Sequence, residues 1–312
     1  MCQSNDPTSA FDVRPAARPT FLANVCAAAP DFWTLTKPEV NFLVVIATFT
    51  GFYLACPGNL HPFPFARLFH SLCGTLLVAS GTATLNQYLE YPFDAQMRRT
   101  CRRPIAAGRL RPATGAWFGI LLSTIGAVYL LIAVNAVASV LAVVTLASYL
   151  FLYTPLKRKT PLCTVIGAIP GAMPPLIGWA AASGSISSEK AWILYAVLFL
   201  WQFPHFMAIA WMYREDYNRA GYLIFPKKSE GSFVAWLTWA PSFVLLVVSL
   251  AAVSANAGGI LQYSATVTSG SGLLYYATRQ MLLGSRLAAR QLLKATIVYL
   301  PLEFLILVLG KS

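Results

Sequence analysis

Charge is what this sequence has least of. Asp, Glu, Lys and Arg make up 11% of the 312 residues against 57% hydrophobic ones, where a soluble globular chain carries roughly 25% charged residues. That deficit excludes an ordinary water-exposed fold. Acidic residues are scarcest, 11 in all, so any place where they cluster stands out. The six cysteines, at 2, 26, 56, 73, 101 and 163, contain no C-x-x-C pair, and the three histidines show no metal-finger spacing. Neither a disulfide framework nor a zinc site is expected. The first thirty residues lack an apolar core behind a basic start, so no cleavable signal peptide is expected, and the first apolar run serves as the insertion signal.

What the chain has instead is long apolar stretches. Nine are found, at 40–56, 68–85, 114–133, 136–153, 162–182, 191–212, 233–254, 259–282 and 292–309. Each approaches the ~20 residues that a hydrocarbon layer of about 30 Å requires. They are continuously apolar rather than alternating, which predicts helices and not barrel strands. The expected fold is therefore an all-α polytopic membrane protein of nine spans, with a cytoplasmic tail over 1–36 and one transmembrane domain over 37–312. The eighth run is the weakest, because Ser264, Thr266, Thr268, Ser269 and Ser271 fall in its middle. Pro174 and Pro175 are expected to interrupt the fifth.

The net charge of +12 invites a nucleic-acid reading, and its distribution argues against one. With the N-terminus inside, nine spans place 20 of the 23 Lys and Arg on the inner side and leave Arg67, Lys190 and Lys311 outside. That asymmetry is the positive-inside pattern of a membrane protein. Lipids and phosphorylated substrates are the expected partners, and a bacterial inner membrane is favoured over a mitochondrial one, since Asp6, Asp12 and Asp31 do not suit a presequence.

The inner loops are also where the acids gather. Asn86, Glu90 and Asp94 follow the second run at i, i+4 and i+8, which stacks three oxygen donors along one helix face. Mg2+ accepts one or two carboxylates together with phosphate oxygens, and Arg98, Arg99, Arg102 and Arg103 follow at once. Metal clamp and fixed cations in one stretch suit a diphosphate; the alternative is a loop of solvated acids and topology-setting arginines. Pro92, between the two carboxylates, is expected to end or kink the helix. A second cluster, Arg214–Glu215–Asp216, follows the sixth run, and Lys157, Arg158 and Lys159 form a third charged loop. His205, beside Pro204 in an apolar run, is either a contact of a bound substrate or a histidine bonded to a carbonyl that Pro204 frees.

The stretch Asn86 to Pro104, written N-x-x-x-(D/E)-x-x-x-D-x-x-M-x-R-T-x-x-R-P, resembles the UbiA superfamily of intramembrane prenyltransferases. Thr36–Lys37–Pro38, Tyr153–Thr154 with Lys157–Arg158–Lys159, the run Gly167–Trp179, and Trp201–Phe206 are similar to the branch of that superfamily that farnesylates haem. The resemblance implies a nine-helix bundle that transfers farnesyl from farnesyl diphosphate to a vinyl group of haem b. It implies Mg2+ held by Asn86, Glu90, Asp94 and Asp216, with Glu215, and a diphosphate met by Arg98, Arg102, Lys157, Lys159 and Lys37. His205 is expected near the haem, and a haem A synthase or an oxidase assembly factor as a protein partner. Glu90 departs from the superfamily, where Asp is usual, and the second acidic cluster lacks a spaced aspartate pair. A transporter is the rival from another class, but the acids lie on one face rather than along a path through the membrane.

Overall fold

The structure is a computed structural model that describes residues 21–57, 62–225 and 230–311, and every regular element in them is helical. Helix α1 (Phe21–Leu35) precedes α2 (Pro38–Ala55), α3 (Phe65–Asp94), α4 (Pro112–Ala133) and α5 (Ala136–Ala147). A π-helical turn, Ser148–Tyr153, carries α5 into the short α6 (Thr154–Leu156). Then follow α7 (Cys163–Gly171), α8 (Pro174–Ser183), α9 (Glu189–Met212), α10 (Arg214–Arg219), α11 (Glu230–Ala255), α12 (Ile260–Leu283) and α13 (Arg286–Leu309). Of the expected tail, residues 1–20 lie outside the described residues; Leu35 at the end of α1 is buried with Ile105 and Leu110.

Among the described residues, eight stretches are long and apolar enough to cross a membrane, α5 to α6 and α7 with α8 each counting as one. The eighth expected run is α12, an unbroken helix of 24 residues that lacks the apolarity of the others. Its hydroxyls are turned onto nearby carbonyls and onto one acid: Thr268 Oγ1 donates to Ser264 O at 2.7 Å, Ser269 Oγ to Thr266 O at 3.2 Å, and Thr266 Oγ1 to Glu303 Oε1 at 3.2 Å. Back-bonding of this kind removes most of the cost of polar groups in an apolar setting.

Proline acts differently at two places. Pro174 and Pro175 separate α7 from α8 as expected, and Pro174 takes the first-turn position where its missing N–H costs nothing. Pro92 does not end α3, which runs on to Asp94. A single lost N–H near a helix end is tolerable, and Gln96 Nε2 donates to Pro92 O at 3.1 Å just beyond. With 30 residues α3 is about 45 Å long, longer than the roughly 30 Å of a hydrocarbon layer.

The bundle is drawn tight at α2 and α8. A Cβ on Gly178 would overlap the Thr48 carbonyl, and one on Gly51 would overlap that of Pro175, so each helix offers the other a notch that no larger residue allows. At the end of the bundle away from Asp94, Lys311 Nζ donates to the carbonyls of Tyr53 and Cys56, fastening the chain after α13 to the close of α2.

Candidate active site

The i, i+4, i+8 set on α3 is buried at its lower end: Asn86 is 2%, Glu90 5% and Asp94 1% exposed. All three line a cavity of about 200 Å³. Buried charges must be paired, and here the partners come from four other segments.

Glu90 is the most heavily bound. Lys157 Nζ donates to both its oxygens, at 2.8 and 3.0 Å, Tyr222 OH to Oε1 at 3.1 Å, and Asn86 Nδ2 to Oε2 at 3.0 Å. Lys37 Nζ donates to Asn86 Oδ1 at 3.2 Å. Lys37 sits at the α1–α2 corner with φ +52°, a left-handed backbone that a residue with a side chain rarely adopts. That strain places its ammonium in the cavity. Asp94 pairs with Arg103 Nη1 at 2.7 Å, and its backbone carbonyl accepts from Thr100 Oγ1 at 2.9 Å.

Burial, then the nearby Arg103 and Lys157, brings the Lys37 ammonium down to about 7. Burial also opposes the charge on Lys157, but the Glu90 carboxylate outweighs it and holds that ammonium well above its ordinary value. The Tyr222 phenol is pushed far up, by burial first and by Glu90 second, and so remains a donor.

The loop after α3 turns by one residue relative to the sequence expectation. Arg103 and the exposed Arg99 line the cavity, while Arg98, Arg102 and Lys159, also exposed, do not. Asp216 is buried, but not in the cavity: its Oδ2 accepts from the Arg99 backbone N–H at 3.3 Å and its Oδ1 from Arg219 Nη1 at 3.3 Å. Glu215 is exposed. The second acidic cluster thus braces the loop that follows the first. Among the described residues no three His, Cys, Asp or Glu side chains converge on one point.

His205 faces the other side of α9, toward α13. Its Nδ1 lies 2.9 Å from Thr296 Oγ1 and its ring stacks on Trp201 at 4.6 Å, so its partner is a hydroxyl rather than a carbonyl freed by Pro204. The next residues, Phe206 and Met207, do line the cavity.

Several lining residues escaped the sequence reading. Tyr149 and Tyr153 form one wall, and Lys157 Nζ lies 4.5 Å from the centre of the Tyr153 ring. Tyr149, Tyr153 and Lys157 repeat the four-residue spacing of Asn86, Glu90 and Asp94, a signal that would have found them. Tyr222 had no such signal.

The donor set fits Mg2+: two carboxylates and an amide oxygen on one helix face are hard ligands, enough for an ion that completes its shell with water and phosphate. Each carboxylate is bound by a cation that a diphosphate would also attract.

The profile described as the UbiA prenyltransferase family matches residues 44–300. A protoheme IX farnesyltransferase of Solibacter usitatus is 40% identical over 293 residues, covering 90% of this chain and 98% of its own, and one of Sorangium cellulosum is 42% identical over 251 residues, covering 79% and 88%. Among solved structures, a digeranylgeranylglyceryl phosphate synthase superposes with a TM-score of 0.70 at 15% identity, covering 91% of this chain and 98% of its own. A UbiA homologue of Archaeoglobus fulgidus bound to GPP and Mg2+ does so with 0.58 at 12% identity, covering 89% and 99%. The structural likenesses concern the fold; with the profile spanning most of the bundle and relatives of this identity along nearly its whole length, the chain belongs to the UbiA prenyltransferase family.

Proposed function

We propose that this protein transfers a farnesyl group from farnesyl diphosphate to a vinyl group of haem b, giving haem O. The carrying observation is the cavity itself, where two buried carboxylates and four cations, Lys37, Arg99, Arg103 and Lys157, face an apolar wall of Tyr149, Tyr153, Phe206 and Met207. The acceptor is taken from the relatives named protoheme IX farnesyltransferase, and from no feature of the cavity.

In this reading the four cations receive the diphosphate oxygens. The bond between farnesyl C1 and oxygen breaks with its electron pair leaving on diphosphate, and the charge that grows there is met by groups already in place, which is how a preorganised site lowers a barrier. Asn86, Glu90 and Asp94 would hold Mg2+, which when bound would supply further neutralisation of the leaving group, an effect of several kcal/mol in general. The aromatic wall keeps water from the allylic cation. The vinyl π pair of haem then forms the new C–C bond, and water adds to the resulting cation with loss of a proton, leaving a hydroxyethylfarnesyl side chain. Asp216 holds Arg99 through its backbone N–H, and Asp216 and Glu215 are proposed as further residues that would hold Mg2+. Arg98, Arg102 and Lys159 are proposed to attract the substrate at the mouth.

The cavity is proposed to open to the cytoplasm, with the N-terminus inside and the chain in the cell inner membrane. Mass spectrometry of haems from cells that make this protein tests the function: a haem of the mass of haem O is expected, and its absence with the protein folded in the membrane overturns the acceptor assignment. A cysteine placed at Ser185 tests orientation. It is expected to react from the outer face.

A further inference from the structure

The segment that follows α10 does more than connect. Tyr222 and Ile224 line the cavity, and Tyr222 is 5% exposed. Ala220 and Tyr222 are buried with Met97 against Phe93 and Tyr217. The backbone N–H of Leu223 donates to Lys157 O at 2.8 Å, so the segment is pinned to the third charged loop beside the residue whose side chain binds Glu90. Besides its packing on Phe93, Tyr222 joins this segment to α3 by a side-chain hydrogen bond, from its OH to Glu90 Oε1 at 3.1 Å, on the same oxygen that accepts from Lys157 at 2.8 Å.

That geometry makes a phenol hydroxyl the point at which the closure of the cavity and the aim of a carboxylate meet. A carboxylate on a flexible two-methylene stem needs its rotamer fixed to act as a ligand, and second partners commonly do this. The Lys157 ammonium holds Glu90 by a contact that a diphosphate would compete for. Tyr222 reaches the same Oε1 from a different segment, so that the two donors together fix the carboxylate where either alone would leave it free to turn.

We propose that Tyr222 is a positioning residue for Glu90 and the latch that keeps residues 221–225 closed over the cavity. This rests on the function proposed above for the use made of Glu90, but not for the latch.

The cavity contains its own reporter, because the free thiol of Cys163 is buried and lines it. In purified protein with Cys2, Cys26, Cys56, Cys73 and Cys101 replaced by alanine, the rate of Cys163 modification by N-ethylmaleimide is measured without ligand or metal. Tyr222→Phe is expected to raise that rate at least fivefold while thermal stability changes little. The gain should shrink below half when the same change is made in an E90Q background, because coupling between two groups appears as non-additivity. An unchanged rate with Tyr222→Phe, or a gain independent of Glu90, overturns the latch. For positioning, the Mg2+ concentration giving half-maximal haem O formation is expected to rise about tenfold in Tyr222→Phe with the KM for haem unchanged; an unchanged Mg2+ requirement, or a KM that moves with it, overturns positioning. Protection of Cys163 by farnesyl diphosphate with Mg2+ in the unsubstituted protein separates the two readings. If it fails while Tyr222→Phe still accelerates labelling, the proposed substrate is wrong and the latch stands.

Discussion

Among the described residues two glutamates lie buried in the membrane helices, and their surroundings differ in the respects that bear on chemistry. Glu90, near the end of α3, meets an ammonium, a phenol and an amide and borders a cavity. Glu303, within α13, is fully buried, accepts from Thr266 Oγ1 at 3.2 Å, and its Oε2 has no hydrogen-bond partner among the described residues. One carboxylate is surrounded by groups that would serve a charged substrate; the other has a hydroxyl and closely packed helices. Burial of an acid in an apolar bundle is therefore not in itself a sign of catalysis. The convergence of cations and open volume is.

Substitutions can break that contrast or sharpen it. The largest effect is expected from Asp94→Asn, which removes one of the two carboxylates in the cavity and leaves Arg103 without its ion pair. Turnover should fall by about two orders of magnitude or more, since each ~1.4 kcal/mol lost from the transition state is tenfold in rate. Haem O formation by purified protein across a Mg2+ titration reads this, and normal turnover would show that the chemistry lies elsewhere.

Next is the pair Glu90→Gln and Glu90→Asp. The first keeps shape and loses charge, and should approach the Asp94→Asn defect; the second keeps charge at a shorter reach and should cost roughly tenfold or less. A milder defect in Glu90→Gln than in Glu90→Asp would mean that reach rather than charge matters.

His205→Ala is expected to act on the acceptor, raising the KM for haem severalfold with farnesyl diphosphate binding unchanged. Its hydroxyl partner Thr296 and its stacking on Trp201 offer a structural role instead. A lowered Tm with an unaltered KM would assign it that role. The smallest effect belongs to Glu303→Gln, which retains an acceptor for Thr266: activity within about threefold, and a stability change near the ~1 kcal/mol of one hydrogen bond. A large loss of turnover there would erase the contrast between the two acids.

The spans were legible because a run of about twenty apolar residues has few other uses, and the ends of most helices lie near the ends of those runs. The polar α12 could be read only as weak, since what makes it tolerable is bonding between side chains and carbonyls that no periodicity reveals. In the site, Asn86, Glu90 and Asp94 could be seen as one face because a helix has a fixed repeat. Arg99 and Arg103 could not be told from Arg98 and Arg102, for the loop after Asp94 has no repeat to set the phase. Tyr222 lies 132 residues from the carboxylate it bonds, and only the packing of the bundle joins them.

The break between α7 and α8 carries a consequence for what the enzyme can accept. The nine residues of α7 hold Cys163 and Thr164 at the cavity wall, with Gly167 against the Tyr153 ring. Beyond Ala172 and Met173, α8 is locked to α2 by the mutual glycine notches and has little freedom to shift. Of these two helices, the proposed isoprenoid would meet α7 and not α8, since Cys163 and Thr164 lie at the cavity wall and no residue of α8 does. Enlarging or shrinking side chains of α7 should alter which chain lengths are accepted, whereas equal changes in α8 should alter only how much protein folds.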